Sequence, residues 1–452
     1  MATERSRSGS KSAQHDPAGR PTAARAIPGV SEEITARGDY LSRDEVLEHL
    51  HIKPQTLYSY VSRGFIRSVP QPDGRSSFYL REDVEKVRSR SVARAGHGPA
   101  AASAMRWGEP VIVTRLTELT DAGPRYRSRL AVELARTRVP FENVAEYLWT
   151  GELAEDTLVW QQTPDPAGLG RLLASAAKLH SHAHILQLMS MTVHGLGIAE
   201  GNRRERIRLG STPTTAGRRL IRAFAATLGF LSPKQAYSPL EDGEPVAAGL
   251  ARMFGISNDA LHLNALNAAL VAVADHELNP ATFAARVAAS GSADMHSCIG
   301  AALDTHYGTL VGRTCDRAEE LFEPPADPEI VFERAMAMRA ASRSLPGFNH
   351  PHYLNGDPRG RLMMELAMLV GGSRRVVGNM MMTLRRLEEE CEARPTVECA
   401  LVLLCRALGM PDRSAAGLYA LGRTAGWVAH VIEQRLAGFM IRPRAQFDHA
   451  AD

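Results

Sequence analysis

The sequence of 452 residues lacks several features that would each indicate a broad class of protein. It contains no apolar run of the roughly 20 residues that a membrane-spanning helix requires. Its first residues are polar and rich in Arg, Ser and Gly, unlike the apolar segment of a secretory signal. It also has no glycine-rich phosphate-binding loop. The sequence therefore predicts a cytoplasmic chain with no membrane partner.

Cysteine is scarce, and the charges nearly balance. The five cysteines are an odd number without the paired spacing of metal ligands, which predicts reduced thiols. They are Cys298, Cys315, Cys391, Cys399 and Cys405. The formal net charge of +3 is too small to indicate a nucleic-acid partner for the chain as a whole. Such a partner would need a local basic patch.

Apolar residues at helical spacing are abundant. Hydrophobic residues make up 44% of the chain, which is enough for a sizeable core. In the second half they recur three or four positions apart, as in Leu266, Leu270 and Val273, and this spacing is typical of helices packed on a core. Alternating strand patterns are absent, apart from a short ribbon at 110–127. The sequence therefore predicts a mostly α-helical fold.

Composition divides the chain into four parts. Residues 1–37 are polar with scattered Pro and Gly, and are predicted to be a disordered tail. Residues 38–90 are predicted to form a compact unit. The Ala/Gly/Ser/Arg-rich residues 91–104 are predicted to be a linker. Residues 105–452 are predicted to form the large helical part.

The compact N-terminal unit carries the local signals of short helices and a hairpin. Ser42 and Glu45 are spaced as a capping box at the start of the first helix. Pro54 suits the first turn of the second helix. Residues 72–75, with the sequence PDGR, are typical of a hairpin turn. The pattern resembles a small winged helix-turn-helix module of the excisionase or MerR type.

That resemblance implies a face that could contact a nucleic acid. The candidate contacts are Lys53, Gln55, Arg63, Arg67 and Arg75. Several carboxylates in the same unit dilute this positive charge. DNA binding and a scaffold or docking role both stay open, because a helix-turn-helix shape alone does not fix function.

Several stretches of the large part have the residue types of a dicarboxylate pocket. They are Ala274–Asn279 (ADHELN), Gly347–Pro351 (GFNHP), Gly356–Arg359 (GDPR) and Gly422–Trp427 (GRTAGW). The planar guanidinium group of arginine binds a carboxylate through two parallel hydrogen bonds. A fixed hydrogen-bond donor can polarise a keto group. In order and spacing, these stretches and the terminal Arg442–Arg444 resemble the citrate synthase superfamily over roughly residues 99 to 452.

The resemblance implies a homodimer with a two-domain helical fold, in which a large domain carries a smaller mobile domain at about residues 314–410. It also implies five ligands for a 2-oxo dicarboxylate such as oxaloacetate. These are His276, His350, Arg359, Arg423 and Arg442. His350 would polarise the keto group, and Arg442 would come from the partner subunit. A coenzyme A thioester would be the co-substrate, with no permanently bound cofactor and no metal.

The same resemblance reveals departures at the positions that would carry out the condensation. Val311, in the loop 308–313 (GTLVGR), stands where the family has its catalytic histidine. Losing one such donor typically costs about 10² to 10³ in rate. Glu398 stands where the family has an aspartate base, and the extra methylene displaces the carboxylate by about 1 Å. His306, just upstream of the loop, is a candidate replacement for the imidazole, although a structural histidine is the simpler interpretation.

Ordinary citrate synthase activity is therefore not expected, and two hypotheses stay open. In the first, the protein is an enzyme of specialised metabolism that forms or cleaves a carbon–carbon bond between a thioester and a 2-oxo dicarboxylate. Val311 would then line an apolar acyl pocket, and Glu398 would be the acid or base. In the second, the pocket is a catalytically degenerate sensor that binds a diacid and signals to the N-terminal module.

A run of alternating histidines resembles a metal site only superficially. Of His180, His182 and His184, only the first and last would share a helix face, and no acidic or thiol partner lies nearby in the sequence. We therefore interpret these histidines as structural.

Overall fold

The computed structural model describes residues 40–50, 52–62, 65–70, 77–81, 83–85, 87, 112–161, 163–180, 183–201, 211–323, 327–341 and 344–443. Backbone contacts divide the chain into two compact units, residues 1–111 and 112–452. The predicted tail 1–37, linker 91–104 and hairpin turn 72–75 lie outside the described residues, as do Arg63 and Arg75. The predicted domain boundaries, including that of the smaller domain at 314–410, stay predictions.

The described residues of the N-terminal unit include a small antiparallel sheet and helices. Its elements are β1 (Tyr40–Leu41), α1 (Arg43–Leu50), α2 (Pro54–Ser62), β2 (Ser68–Pro70) and β3 (Ser77–Leu80), with β3 in the centre of the sheet. The predicted capping box is confirmed, since the Ser42 N–H donates to Glu45 Oε2 at 2.7 Å. The predicted start of the second helix at Pro54 is confirmed as well.

The second unit opens with the predicted β-ribbon. Strands β4 (Thr117–Thr120), β5 (Gly123–Tyr126) and β6 (Arg129–Leu130) pair antiparallel in that order. The Tyr126 hydroxyl donates to the Val271 carbonyl at 2.9 Å and accepts from the Asp275 N–H at 3.1 Å. The ribbon therefore supports the turn that precedes His276.

The rest of the second unit is mostly helical, as predicted, and includes a short 3-10 helix at Leu228–Leu231. The helices are α3 (Ala131–Arg136), α4 (Phe141–Thr150), α5 (Leu169–Ala177), α6 (Ile185–Glu200), α7 (Pro213–Thr227), α8 (Val246–Phe254), α9 (Ala260–Ala272), α10 (Pro280–Ser290), α11 (Met295–His306), α12 (Thr314–Leu321), α13 (Pro328–Ala340), α14 (Pro358–Gly371), α15 (Arg375–Cys391), α16 (Val397–Leu408) and α17 (Ser414–Ala437). Within the described residues, no helix has the length and apolarity needed to cross a membrane.

Helix α17 passes very close to the end of α9 because it presents two glycines there. A Cβ added at Gly422 would lie 2.6 Å from Val273 Cγ2, and one added at Gly426 would overlap Asp275 Oδ1. The Gly426 N–H instead donates to the Ala274 carbonyl at 2.9 Å. The two glycines are four residues apart and so share one helix face. Their approach places Arg423, on the same helix, beside the turn that carries His276.

Helix α14 packs against α16 in the same way. A Cβ at Gly360 would lie 3.1 Å from the Thr396 carbonyl, and one at Gly371 would lie 2.6 Å from Ala407 Cα. The two glycines are eleven positions apart, which corresponds to about three helical turns, so both lie on one face. This packing brings the first turn of α14, which carries Arg359, next to the first turn of α16, which carries Glu398.

Candidate active site

Two histidines and a tyrosine form the first part of the site. The rings of His276 and His350 meet edge to face, with centroids 5.1 Å apart. His276 Nε2 lies 2.8 Å from the Tyr353 hydroxyl, and the His350 and Tyr353 ring centroids are 4.8 Å apart. His276 follows the end of α9, whereas His350 and Tyr353 belong to the segment before α14. The structure thus brings together two of the five predicted ligands.

Both imidazoles are neutral at physiological pH. Burial holds the pKa of His276 well below its usual value, and the nearby charges of Arg359 and Arg423 lower it further. Burial and the charge of Arg359 lower the pKa of His350 to about 4. A neutral imidazole has one N–H to donate and one lone pair to accept with. Each ring can therefore offer a single hydrogen bond to an oxygen of a ligand.

An unusual backbone conformation positions His350. Asn349 has a positive φ of 53°, which asparagine tolerates better than most residues with a side chain. Its backbone N–H donates to the Arg394 carbonyl, and its side-chain oxygen accepts from the Arg394 N–H, both at 2.8 Å. Asn349 therefore holds a left-handed backbone conformation that glycine would otherwise favour.

Arg359 is held by a buried aspartate. Its Nε and Nη2 donate to the two carboxylate oxygens of Asp357 at 3.0 and 2.8 Å. Asp357 also accepts from the backbone N–H of Val397 at 3.1 Å. Burial alone would raise the pKa of Asp357, but the Arg359 charge and its hydrogen bonds hold that pKa below the usual value. The carboxylate therefore fixes both Arg359 and the start of α16.

Arg423 is the second buried guanidinium of the site. Its Nε donates to the Val273 carbonyl at 2.7 Å, and its Nη2 donates to the Tyr419 hydroxyl at 2.9 Å. Tyr419 lies one turn before Arg423 on α17, so the two side chains share a helix face. The guanidinium group lies over the Tyr419 ring, 5.0 Å from its centroid.

Each of these arginines keeps one donor unused. Arg359 Nη1 and Arg423 Nη1 are buried and have no hydrogen-bond partner within the described part of the chain. Buried charged donors are otherwise almost always satisfied. Two unmet cationic donors next to two neutral imidazoles form a site suited to an anion with several oxygens.

The fifth predicted ligand lies elsewhere in the chain. Arg442 is exposed, beyond the end of α17. The hydrogen bonds described for His276, Arg359 and Arg423 do not include it. One chain thus brings together four of the five predicted ligands.

The loop that carries Val311 is held against the neighbouring helices. Val311 is partly buried and packs on the main core. Arg313 Nε pairs with Asp316 at 2.9 Å, and its guanidinium group lies over the Tyr307 ring. Asp316 also contacts His184 Nε2 at 2.8 Å. The positive charge that Arg313 brings to this loop is therefore paired with a carboxylate.

His306 is enclosed beneath that loop. Its ring stacks on Tyr419 with centroids 5.2 Å apart and meets the edge of Trp427 at 5.3 Å. Gly312 covers it, and a Cβ at that position would overlap the imidazole. Neither ring nitrogen is bonded to any described residue, and burial lowers the pKa of His306 to about 3. The predicted role of His306 as a replacement imidazole stays a prediction.

Glu398 lies in the first turn of α16 and is partly exposed. The Thr396 hydroxyl donates to its carboxylate at 2.5 Å. The neighbouring thiols of Cys315 and Cys399 are buried, and burial, together with the charge of Glu398, raises both pKa values. Both thiols are therefore protonated at physiological pH, which disfavours a nucleophilic role.

The run of three histidines contributes a structural contact. His184 caps α6 by accepting from the Leu186 N–H at 3.2 Å, in addition to its contact with Asp316. His182 lies outside the described residues. Within the residues that are described, no group of three His, Cys, Asp or Glu side chains is arranged to hold a metal ion.

The nucleic-acid candidates of the N-terminal unit differ in their surroundings. Lys53 and Gln55 are exposed. Arg67 donates through Nε and Nη2 to both oxygens of Asp83, at 2.7 and 3.0 Å. Its positive charge is therefore already paired within the unit.

Sequence reasoning missed Tyr419 and Asp357 as residues of the site. Asp357 was part of the GDPR stretch, but only Arg359 was assigned a role there. Tyr419 lies outside the GRTAGW stretch, and its spacing of four residues from Arg423 was the signal that could have identified it.

Comparisons with known proteins agree with this architecture. The sequence model of the family described as "Citrate synthase, C-terminal domain" matches residues 105–444. The 2-methylcitrate synthase of Shewanella oneidensis is 31% identical over 221 residues, which cover 46% of this chain and 56% of the relative. Citrate synthase 2 of Bacillus subtilis is 28% identical over 256 residues, which cover 55% of this chain and 66% of the relative. This chain thus spans less than two thirds of the length of either relative.

Solved structures show the same fold. Citrate synthase from Thermoplasma acidophilum, in a ternary complex with carboxymethyl coenzyme A and oxaloacetate, superposes with a TM-score of 0.65 at 22% identity, covering 76% of this chain and 95% of that chain. Citrate synthase from Thermotoga maritima superposes with a TM-score of 0.62 at 21% identity, with the same two coverages. The second unit therefore has a citrate synthase-like helical fold. Because the family match covers most of the sequence, the chain belongs to the citrate synthase family.

Proposed function

We propose that this protein is an enzyme that forms or cleaves a carbon–carbon bond between an acyl-coenzyme A or related thioester and a 2-oxo dicarboxylate. The observation that carries the proposal is the pair of buried Nη1 donors of Arg359 and Arg423, which have no hydrogen-bond partner among the described residues. They adjoin the neutral imidazoles of His276 and His350. This combination fits a diacid, whose carboxylates need cationic donors and whose keto oxygen needs a neutral one.

In the proposed reaction, the arginines hold the carboxylates and His350 donates a hydrogen bond to the keto oxygen. Glu398 takes a proton from the carbon next to the thioester carbonyl, and that carbon then attacks the keto carbon. The π pair of the keto group moves to its oxygen, which takes up a proton and becomes a hydroxyl. Cleavage uses the same groups in reverse. The partial exposure of Glu398 supports this role, because the carboxylate stays accessible at the start of α16.

We propose that Val311 lines the acyl pocket instead of donating a hydrogen bond. Its side chain is apolar and partly buried, which favours a thioester that is bulkier or more easily enolised than acetyl-coenzyme A. The reaction would then differ from ordinary citrate synthesis in its acyl donor.

Calorimetry with oxaloacetate tests the diacid pocket. We expect the wild type to bind it and Arg423→Met to bind it at least about 10-fold more weakly, since a hydrogen bond to a charged group contributes about 1.5–3 kcal/mol. Arg252→Met is the matched control, because Arg252 pairs with Glu244 at 2.7 Å, away from the described contacts of the site. Equal affinity of all three proteins would contradict the assignment of Arg423.

Turnover of Glu398→Gln tests the enzymatic role. The amide cannot accept the proton, so we expect the rate with a productive thioester to fall by about 10² or more. Oxaloacetate affinity should stay close to the wild-type value. If Glu398→Gln turns over as fast as the wild type, Glu398 is not the base. If the wild type binds oxaloacetate but acts on no thioester, the sensor hypothesis replaces the enzyme.

For the N-terminal unit we propose a winged helix-turn-helix module with a scaffold or docking role. The helices and the antiparallel sheet among its described residues support this assignment. The pairing of Arg67 with Asp83 argues against a strong contact with DNA, because that charge is already neutralised. A mobility-shift assay with steep salt dependence would contradict the docking role.

A further inference from the structure

We infer that the hydroxyl of Tyr419 is a catalytic hydrogen-bond donor that meets the carbonyl oxygen of the acyl thioester. The inference rests on the proposed function and deepens it, because it names the group that stabilises the enolate. Val311 cannot supply such a hydrogen bond, since its side chain carries no polar atom.

The first support is the bonding of the hydroxyl itself. Arg423 Nη2 donates to the Tyr419 oxygen at 2.9 Å, so the oxygen is an acceptor in that contact. The phenolic hydrogen remains, and no described side chain or carbonyl accepts it. Tyr419 therefore has one donor left to offer, and the neighbouring guanidinium group strengthens that donor by drawing charge from the oxygen.

The second support is the charge around the ring. Burial raises the pKa of Tyr419 to about 12, Arg423 and Arg359 oppose that rise, and Glu398 adds to it. The hydroxyl thus lies within electrostatic reach of both ligand arginines and of the proposed base. It stays protonated over the physiological pH range, which a hydrogen-bond donor requires.

The third support is the rigid mounting of the ring. Tyr419 stacks on His306 at an interplanar angle of 14°, and His306 is itself wedged against the edge of Trp427. His306 is fully buried, whereas Tyr419 retains about 7% of its surface exposed. His306 supports one face of the Tyr419 ring, and in this proposal it is a positioning residue. A donor fixed before the reaction needs no reorganisation as charge develops.

The step in which the donor acts balances without any further reactant. Glu398 removes the proton from the carbon next to the thioester carbonyl. The electron pair of that C–H bond becomes the new carbon–carbon double bond, and the π pair of the carbonyl moves to the oxygen. The Tyr419 O–H donates to that oxygen and keeps its proton. Removing one such donor typically lowers the rate by about 10² to 10³.

Tyr419→Phe removes the hydroxyl and keeps the ring stacked on His306. Tyr147→Phe is the matched control, since Tyr147 is also buried and its hydroxyl bonds to Ser128 at 3.1 Å, outside the site. The probes are acetyl-, propionyl-, butyryl- and phenylacetyl-coenzyme A with oxaloacetate in D2O. Mass spectrometry follows deuterium uptake next to the thioester and the formation of product, and calorimetry follows oxaloacetate binding.

We expect Tyr419→Phe to lower both deuterium uptake and kcat by about 10²-fold, with oxaloacetate affinity within about three-fold of the wild type. Tyr147→Phe should match the wild type. Wild-type rates in Tyr419→Phe would overturn the inference and leave the proposed function intact. Lost oxaloacetate affinity with normal kcat at saturation would also overturn it, because Tyr419 would then only position Arg423. A wild type inactive on every thioester would end the proposed function and this inference together.

Discussion

The candidate ligands Arg359 and Arg423 differ from a structural buried arginine in how many of their N–H donors are hydrogen-bonded. Arg286 is as deeply buried as Arg359 and Arg423. Its guanidinium donates to Gln434 at 2.9 Å and pairs with Glu433 at 2.6 Å. The two candidates each leave a buried Nη1 unmet within the described chain. An unsatisfied buried donor is destabilising by about 1–3 kcal/mol, and by more when it is charged. A bound anion would remove that destabilisation.

The buried His306 also predicts how the free energy of unfolding depends on pH. Burial lowers its pKa to about 3 in the folded protein, whereas the unfolded chain takes up the proton near pH 6.5. Below pH 6.5 the unfolded state therefore binds one more proton, and this residue lowers stability by about 1.4 kcal/mol for each pH unit. The loss continues until the pH approaches the folded-state value. His306→Leu abolishes this contribution, because leucine does not titrate.

Urea unfolding of the wild type and of His306→Leu tests whether His306 lowers the free energy of unfolding as the pH falls. The difference between their free energies of unfolding should be constant above about pH 7 and should shift in favour of the leucine variant as the pH falls toward about 4. His276 and His350 also have lowered pKa values, but they contribute to both proteins and cancel in the difference. A difference that does not change with pH would contradict the burial of a neutral imidazole.

At the scale of elements, glycine faces determine which helices meet and hence which side chains converge. Gly422 and Gly426 bring α17 onto the end of α9, so Arg423 reaches the Val273 carbonyl. Gly360 and Gly371 bring α14 onto α16. A longer side chain at these contacts would separate the helices, because backbone atoms on the facing element cannot move aside as a flexible side chain can.

Gly426→Ala tests this account. The added methyl group would overlap Asp275 Oδ1 and lie 2.5 Å from the Ala274 carbonyl. We expect a loss of about 1–3 kcal/mol in stability from overpacking, together with weaker oxaloacetate binding as Arg423 moves away from His276. Gly378→Ala on α15 is the matched control, since an added Cβ there meets nothing within 4 Å. It should be neutral or stabilise by up to about 1 kcal/mol. Equal effects of both substitutions would refute the role of the close approach.

The sequence predicted the helices better than it predicted their contacts. Spacing of three and four residues reports which face of a helix is apolar, so the helical class was predictable. The capping box at Ser42 and the first-turn proline at Pro54 made two helix starts predictable as well. The same spacing does not report which distant helix covers that face. Tyr419 and Asp357 were missed for this reason, since their importance depends on which charged groups lie next to them. The turn of Arg313 toward Asp316 was equally hidden, because it depends on the path of the loop.

At the scale of the whole molecule, the C-terminal segment supports the homodimer that the resemblance implies. Arg442 follows a stretch in which Leu436, Phe439 and Met440 are 83%, 50% and 65% exposed. Neighbouring exposed apolar side chains of this size often mark an interaction surface. In a two-fold dimer the same segment of each subunit can reach the other, so each Arg442 could complete the partner's diacid site.

Mixed dimers decide whether Arg442 acts across subunits. We expect Arg423→Met and Arg442→Met each to bind oxaloacetate weakly when pure. In a hybrid of the two, one site carries both substitutions and the other carries none, so one intact site returns. Random assortment of equal amounts restores about a quarter of the wild-type sites, which calorimetry can count. If Arg442 instead served its own chain, both sites of the hybrid would carry one substitution and no sites would return. Each variant reassorted with itself is the control.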